Sequence, residues 1–194
     1  YADSISIYGG KTNSEIKNDK YMANHGAFVS VSNEPSLKSQ YEKIIKDKPD
    51  KTIIAQLLLD FVTGNIEFSN KEANGGYEVM KRPNEVLMTG KTDCSGLTIL
   101  YASLLEQNGI NYRLVYFPGH IAVAVEGNFP NRNHLVIKYD NITYSLAETT
   151  VKGFQIGLTE LLEKNITDEI TFIQKPGKDS KIINFKTGET MSNE

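Results

Sequence analysis

The chain has 194 residues, 39% of them apolar and 23% charged, a balance that supplies apolar surface for one sizeable globular domain and argues against disorder. Its longest apolar stretches, Ile53–Val62 and Leu97–Leu105, are about half the ~18–20 residues that a bilayer-spanning helix requires, so no transmembrane segment is expected. A formal charge of −3 without clustered Lys or Arg argues against an electrostatic grip on nucleic acid or anionic lipid. One Cys and three His leave no internal disulfide and no multi-thiolate zinc site, so Cys94 acts as a free thiol. A start at Tyr1 rather than Met is compatible with a removed leader and an exported or cell-surface protein, and equally with trimming of the sequence.

In chain order, alternating runs at Ser4–Tyr8 and Ala27–Ser32 predict two strands. Leu37, Tyr41, Ile44 and Ile45 recur at helical spacing after Ser36, a candidate N-cap. A second helix follows, with Ile53, Ile54, Leu57, Leu58, Phe61 and Val62 on one broad face and Gly64 as its stop. Residues 65–92 are polar with little periodicity and predict a long loop, a feature that is often functional. The strongest helix comes next. Asp93 or Thr92 caps it, Leu97, Leu100, Tyr101, Leu104 and Leu105 form its buried stripe, and Gly109 ends it. Strands are expected at Tyr112–Phe117, Ile121–Val125, Leu135–Tyr139 and Ile142–Leu146, the last two joined by an Asp140-Asn141 turn. A short helix near Thr159–Lys164 and strands near Ile170–Gln174 and Lys181–Phe185 complete a single α+β domain spanning 1–194.

Cys94 falls in the first turn of the strongest helix, where free N–H groups and the positive dipole end stabilise a thiolate and offer donors to an oxyanion. A small, buried, inert Cys is the alternative. His120 follows a Pro118-Gly119 turn at the start of an apolar strand, the partly exposed position a general base needs, although a structural histidine would look the same. His25 and His134 sit in polar surroundings and are expected at the surface. No further His or Cys lies at ligand spacing, so neither a metal nor an organic cofactor is expected.

The ordered set Arg82-Pro83-Asn84-Glu85-Val86-Leu87, Gly90-Lys91-Thr92-Asp93-Cys94, apolar helix, Gly109, Pro118-Gly119-His120 and Tyr144–Thr150 (ending Glu148-Thr149-Thr150) resembles the transglutaminase-like superfamily, in particular its bacterial and archaeal cysteine peptidase group. The resemblance covers about Leu57–Thr150, and the 26 residues from Cys94 to His120 suit it. Thr92 departs from the Gly usual in that family, outside the site residues. The resemblance implies a papain-like core at about 37–150, a Cys-bearing helix packed on an antiparallel sheet. It also implies a catalytic set in which Cys94 is the nucleophile, His120 the base and then acid, and Glu148 the carboxylate that orients the imidazole. A protein or peptide substrate follows, with amide hydrolysis preferred over crosslinking.

A plain meander of the runs from Ile121 to Leu146 would instead put Asp140 nearer His120 than Glu148, and both carboxylates stay open. Asp93 is expected as a helix cap and Glu85 as a solvated residue; the sequence does not name a second oxyanion donor, and Tyr77 and Asn84 are candidates only by their place on the loop before Cys94. Asp93-Cys94-Ser95-Gly96-Leu97 also resembles the nucleophile segment of NlpC/P60 cell-wall peptidases, whose Cys-to-His interval is about twice as long. A non-catalytic binding or scaffold module is the third possibility, because fold does not fix function.

Overall fold

The computed structural model describes the backbone of residues 6–9 and residues 23–48, 50–75, 77–129, 136–158, 166–177 and 180–191. Among the described residues five α-helices precede or punctuate the sheet: α1 (Pro35–Ile45), α2 (Lys51–Asn65), α3 (Asn70–Ala73), α4 (Pro83–Thr89) and α5 (Cys94–Gln107). The strands described there are β1 (Ser6–Gly9), β2 (Glu67–Phe68), β3 (Tyr77–Met80), β4 (Lys91–Thr92), β5 (Tyr112–Phe117), β6 (His120–Glu126), β7 (Val136–Tyr139), β8 (Ile142–Ala147), β9 (Phe172–Gln174) and β10 (Ile182–Asn184).

The principal sheet has the order β10-β9-β5-β6-β8-β7, antiparallel throughout. Its central strands are buried on both faces, which is why Tyr112–Phe117 is apolar on both sides apart from Arg113, itself buried, rather than alternating. On one face packs α5, whose residues Ser95–Leu105 are all buried between the sheet and α2. On the other, Val115, Phe117, Ala122, Ala124, Tyr144 and Ile173 form a second apolar cluster. The class is α+β, with a Cys-bearing helix on an antiparallel sheet, as the sequence predicts.

Several local expectations change. α1 starts at Pro35, whose missing N–H costs nothing at the first helical position, and Glu34 rather than Ser36 occupies the cap. α2 is capped by Asp50, which accepts from the Thr52 N–H, and it runs through Gly64 to Asn65. The predicted strand at Ala27–Ser32 is instead a 3₁₀ turn, His25–Phe28, leading into irregular backbone. Residues 65–92 are not a loop: they hold β2, α3, β3, α4 and β4, each too short to show a period. Ser69 accepts from the Glu72 N–H to start α3, and Glu85 accepts from the Arg82 N–H at the start of α4. The helix expected near Thr159–Lys164 lies outside the described residues. Among the described residues no helix is long and apolar enough to cross a membrane.

Candidate active site

Cys94 is placed by a short parallel pairing and a cap. β2 and β4 align Phe68 with Thr92, so the chain enters α5 from the end at which α2 finishes. Asp93 then stops the extended run: its Oδ1 accepts from the N–H groups of Ser95 at 3.1 Å and Gly96 at 3.2 Å and from the Ser95 hydroxyl at 2.6 Å. Gly96 is dictated by packing, since a Cβ there would lie 2.1 Å from Thr92 Oγ1. Thr92 itself is fully buried, so the Thr found where the family usually has Gly is matched by a Gly on the facing turn. Asp93 claims the second and third N–H groups of the helix. The Cys94 N–H has no partner among the described residues and is the donor left for an anion.

His120 is placed by a two-residue hairpin. Pro118 fixes the first corner, and Gly119 takes φ +71° at the second, the backbone of a type II turn. Phe117 and His120 are then register partners, and their rings stack with centroids 6.3 Å apart.

Glu148 is placed by sheet order. The chain leaving β6 does not return beside it; β8 takes that position, with Val123 opposite Ala147, and β7 lies outside β8. The plain meander is therefore corrected, and Glu148 emerges at the end of the sheet where His120 begins. Asp140 lies at the opposite end of β8, in a turn where Asp140 and Asn141 both take positive φ, as a type I′ hairpin demands. The distances follow from this order. His120 Nε2 donates to Glu148 Oε2 at 2.7 Å, while Oε1 accepts from the Thr150 N–H at 2.9 Å and hydroxyl at 2.7 Å.

The Cys94 side chain lies close enough to the imidazole to interact with it electrostatically. Nε2 is committed to Glu148, which leaves Nδ1 to face the thiol. Burial of the ring works against its charge. The hydrogen bond and charge of Glu148, together with the influence of Cys94, more than offset this, and the imidazole pKa is pushed up to about 10. Burial likewise opposes the Glu148 charge, but His120 and the two Thr150 donors hold that carboxyl below its usual range. Cys94 is half-buried, and the side chains of His120 and Glu148 are 31% and 15% exposed, so the three groups meet at a partly desolvated surface. An open cleft of about 390 Å³ is lined by Asn65, Phe68, Leu97, Thr150 and Lys152 among others; Cys94, His120 and Glu148 are not in its lining, and Leu97, Thr149 and Thr150 link it to them along the chain. Leu97 is one turn along α5 from Cys94, and Thr150 is the residue that holds Glu148.

The other sequence candidates lie elsewhere. Asn84 is exposed and bonds Ser36 and Glu34, away from the thiol, and Glu85 serves the α4 cap. The Tyr77 side chain and His134 lie outside what the structure describes. His25 is not at the surface: it is 1% exposed and bonded to Glu78. Its partner lies 53 residues away, so polar sequence neighbours misrepresent its surroundings. Thr150 escaped notice as a partner of Glu148, although the Glu-Thr-Thr ending contained it. Among the described residues no group of three His, Cys, Asp or Glu is placed to hold a metal ion.

Residues 38–152 match the sequence model of the transglutaminase-like superfamily. A comparison with curated proteins finds no match. Among solved structures, one from Cytophaga hutchinsonii named "putative cysteine protease" aligns with a TM-score of 0.43 at 10% identity, covering 75% of this chain and 49% of that one. The chain thus spans about half the length of that neighbour.

Proposed function

Because this chain belongs to the transglutaminase-like superfamily, we propose that it is a thiol enzyme acting on amide bonds of a protein or peptide, with Cys94, His120 and Glu148 as its catalytic set. One observation carries this: His120 Nε2 bonds Glu148 at 2.7 Å, and the imidazole, with Cys94 beside it, has its pKa pushed up to about 10. An imidazole that keeps its proton at neutral pH can deliver it to a leaving group, and Cys94 is the nucleophile beside it.

Cys94 Sγ attacks the amide carbonyl carbon, and the oxygen takes up the electron pair beside the Cys94 N–H. Collapse of this intermediate breaks the C–N bond, and His120 gives its proton to the departing amine. A thioester remains. Water then attacks the thioester, His120 takes a proton from it, and the carboxylic acid leaves as sulfur is regenerated. An amine in place of water gives transamidation. Hydrolysis is preferred here, on the family resemblance and the small size of the chain. Glu148 keeps the imidazole oriented throughout and favours its charged form whenever it holds both protons, and the cleft along Leu97 and Thr150 receives the substrate chain.

The test is incubation with an unfolded protein such as casein in ¹⁸O-labelled water, with and without a primary amine, followed by mass spectrometry. Hydrolysis places ¹⁸O in new carboxylates, and the Cys94→Ala variant yields none. Products formed equally by Cys94→Ala would refute the nucleophile.

A further inference from the structure

The backbone that delivers Cys94 to α5 is held along both edges, and only one of the holds is a strand. On that edge β2 binds alternate carbonyls of the incoming chain: the Glu67 N–H donates to Gly90 and the Ser69 N–H to Thr92, each at 2.8 Å. The Lys91 carbonyl between them turns the other way, where no strand pairs with β4 among the described residues. Lys81 Nζ meets it there at 3.0 Å, beside the Thr89 hydroxyl at 3.1 Å.

The Lys81 ammonium is fully committed. Its other two N–H groups go to Glu72, Oε1 at 2.7 Å and Oε2 at 2.9 Å, so three donors meet three acceptors. The residue is only 9% exposed, a depth at which a cation is costly unless it is paired and hydrogen-bonded. Met80, its chain neighbour, is buried against Ile99 of α5, which fixes where the Lys81 stem begins. The Thr92 hydroxyl lies 3.4 Å from Glu72 Oε2, and Thr92 fills the space that Gly96 leaves open. Lys81 and Glu72 therefore grip Lys91 and Thr92, the two residues that precede the Asp93 cap and the thiol.

We propose that Lys81, oriented by Glu72, is a positioning residue for Cys94: by holding the Lys91 carbonyl it fixes the free edge of β4 and so the place at which the thiol faces His120. This rests on Cys94 being the nucleophile. A buried ion pair is weak evidence of added stability, since well-packed apolar side chains of similar volume often serve as well or better. A hydrocarbon, however, cannot hold the Lys91 carbonyl in one direction. β4 is two residues long and pairs with β2 alone, so few bonds oppose a slip of this segment. Three residues separate the held carbonyl from Cys94, and displacing a reacting group by about 1 Å can cost about 10²-fold in rate. Neither Lys81 nor Glu72 lines the cleft, so both act through the backbone rather than on the substrate.

The test follows the His120 ring by NMR titration in the full-length parent, Cys94→Ala, Lys81→Met and Lys81→Met/Glu72→Gln, with near-UV circular dichroism confirming native packing. Cys94 contributes to the raised His120 pKa, so Cys94→Ala gives the value of a ring without its thiol partner. Charge and position predict opposite signs in Lys81→Met. Loss of the cation alone would raise the His120 pKa, because a like charge goes and the Glu72 carboxylate is left unpaired. Displacement of the thiol lowers it, by about one pH unit, toward the Cys94→Ala value. The double variant restores the charge balance, so charge predicts a return to the parent value and positioning predicts that the fall persists. It also leaves no unpaired carboxylate and keeps the question answerable should Lys81→Met not fold. Tyr101→Phe, which removes a buried bond from α5 to the Ala55 carbonyl, controls for general loosening and should leave the titration in place. A pKa unchanged or raised in Lys81→Met, restored in the double variant, or lowered equally in Tyr101→Phe would overturn positioning while the parent still differs from Cys94→Ala. A parent that titrates as Cys94→Ala does would refute the Cys94–His120 pair and the positioning residue together.

Discussion

Replacing Glu148 by Gln tests the carboxylate at constant shape. Gln keeps an oxygen for the Thr150 N–H and hydroxyl, which lie 2.9 and 2.7 Å from Oε1. It then turns an NH₂ toward His120 Nε2, where a carboxylate oxygen now accepts at 2.7 Å. Two donors cannot share that contact, so the ring must present a bare Nε2 and carry its proton on Nδ1, facing the thiol. The ring also loses a negative charge at hydrogen-bond distance. At an effective dielectric near 20 that charge is worth about 4 kcal/mol, and solvent access to a ring 31% exposed brings this to about 2–4 kcal/mol. The population of the ion-paired form should therefore fall by about 30-fold to about 10³-fold. Two assays read this: alkylation of Cys94 at neutral pH, which should slow accordingly, and NMR titration of the His120 ring, whose pKa should drop from about 10 toward the ordinary histidine range. Asp140→Asn is the control, because Asn tolerates the left-handed backbone at φ +49° and leaves the far turn intact. If Asp140→Asn moved the His120 titration and Glu148→Gln did not, the orienting carboxylate would be misidentified.

Further predictions concern stability. Gly96→Ala sets a methyl group against buried Thr92 and should cost about 3 kcal/mol, the upper end for overpacking, read as a lower urea midpoint. Adding Thr92→Gly should recover part of that loss; a Gly96→Ala variant as stable as the parent would contradict the close approach. The His120–Glu148 pair also gives stability a pH signature. The imidazole pKa is raised by folding, so its contribution is complete below about pH 6.5 and is lost as pH climbs toward about 10. The carboxyl pKa is lowered, so its contribution is complete above its unfolded value and is lost as pH falls through the folded one. Urea midpoints across pH for the parent and Glu148→Gln should therefore converge at alkaline and at strongly acidic pH and separate between; a constant gap would refute the coupling.

What the sequence reveals follows the range of the forces involved. α5 is legible because its cap, apolar content and terminal Gly109 lie within one segment. The same holds for the Pro118-Gly119 turn that presents His120. Glu148 is harder, since its place depends on β8 passing inside β7, a choice of strand order that no local pattern encodes. The family resemblance supplied it where the meander misled. Residues 65–92 hide their elements for a different reason: strands of two or four residues and helices of four and seven carry capping signals such as Ser69 and Glu85 but no period. His25 was illegible altogether. Its surroundings are supplied by Glu78 and Tyr116, both more than 50 residues distant.

The central claim is that Cys94 and His120 form a working pair, and the pH dependence of Cys94 alkylation by iodoacetamide tests it without knowledge of the substrate. The parent should react rapidly at pH values where a free thiol, with its pKa near 8.5, is still protonated, and His120→Ala should remove that advantage. A Cys94 that reacts as an ordinary thiol in the folded protein, at a rate indifferent to His120, would contradict the account.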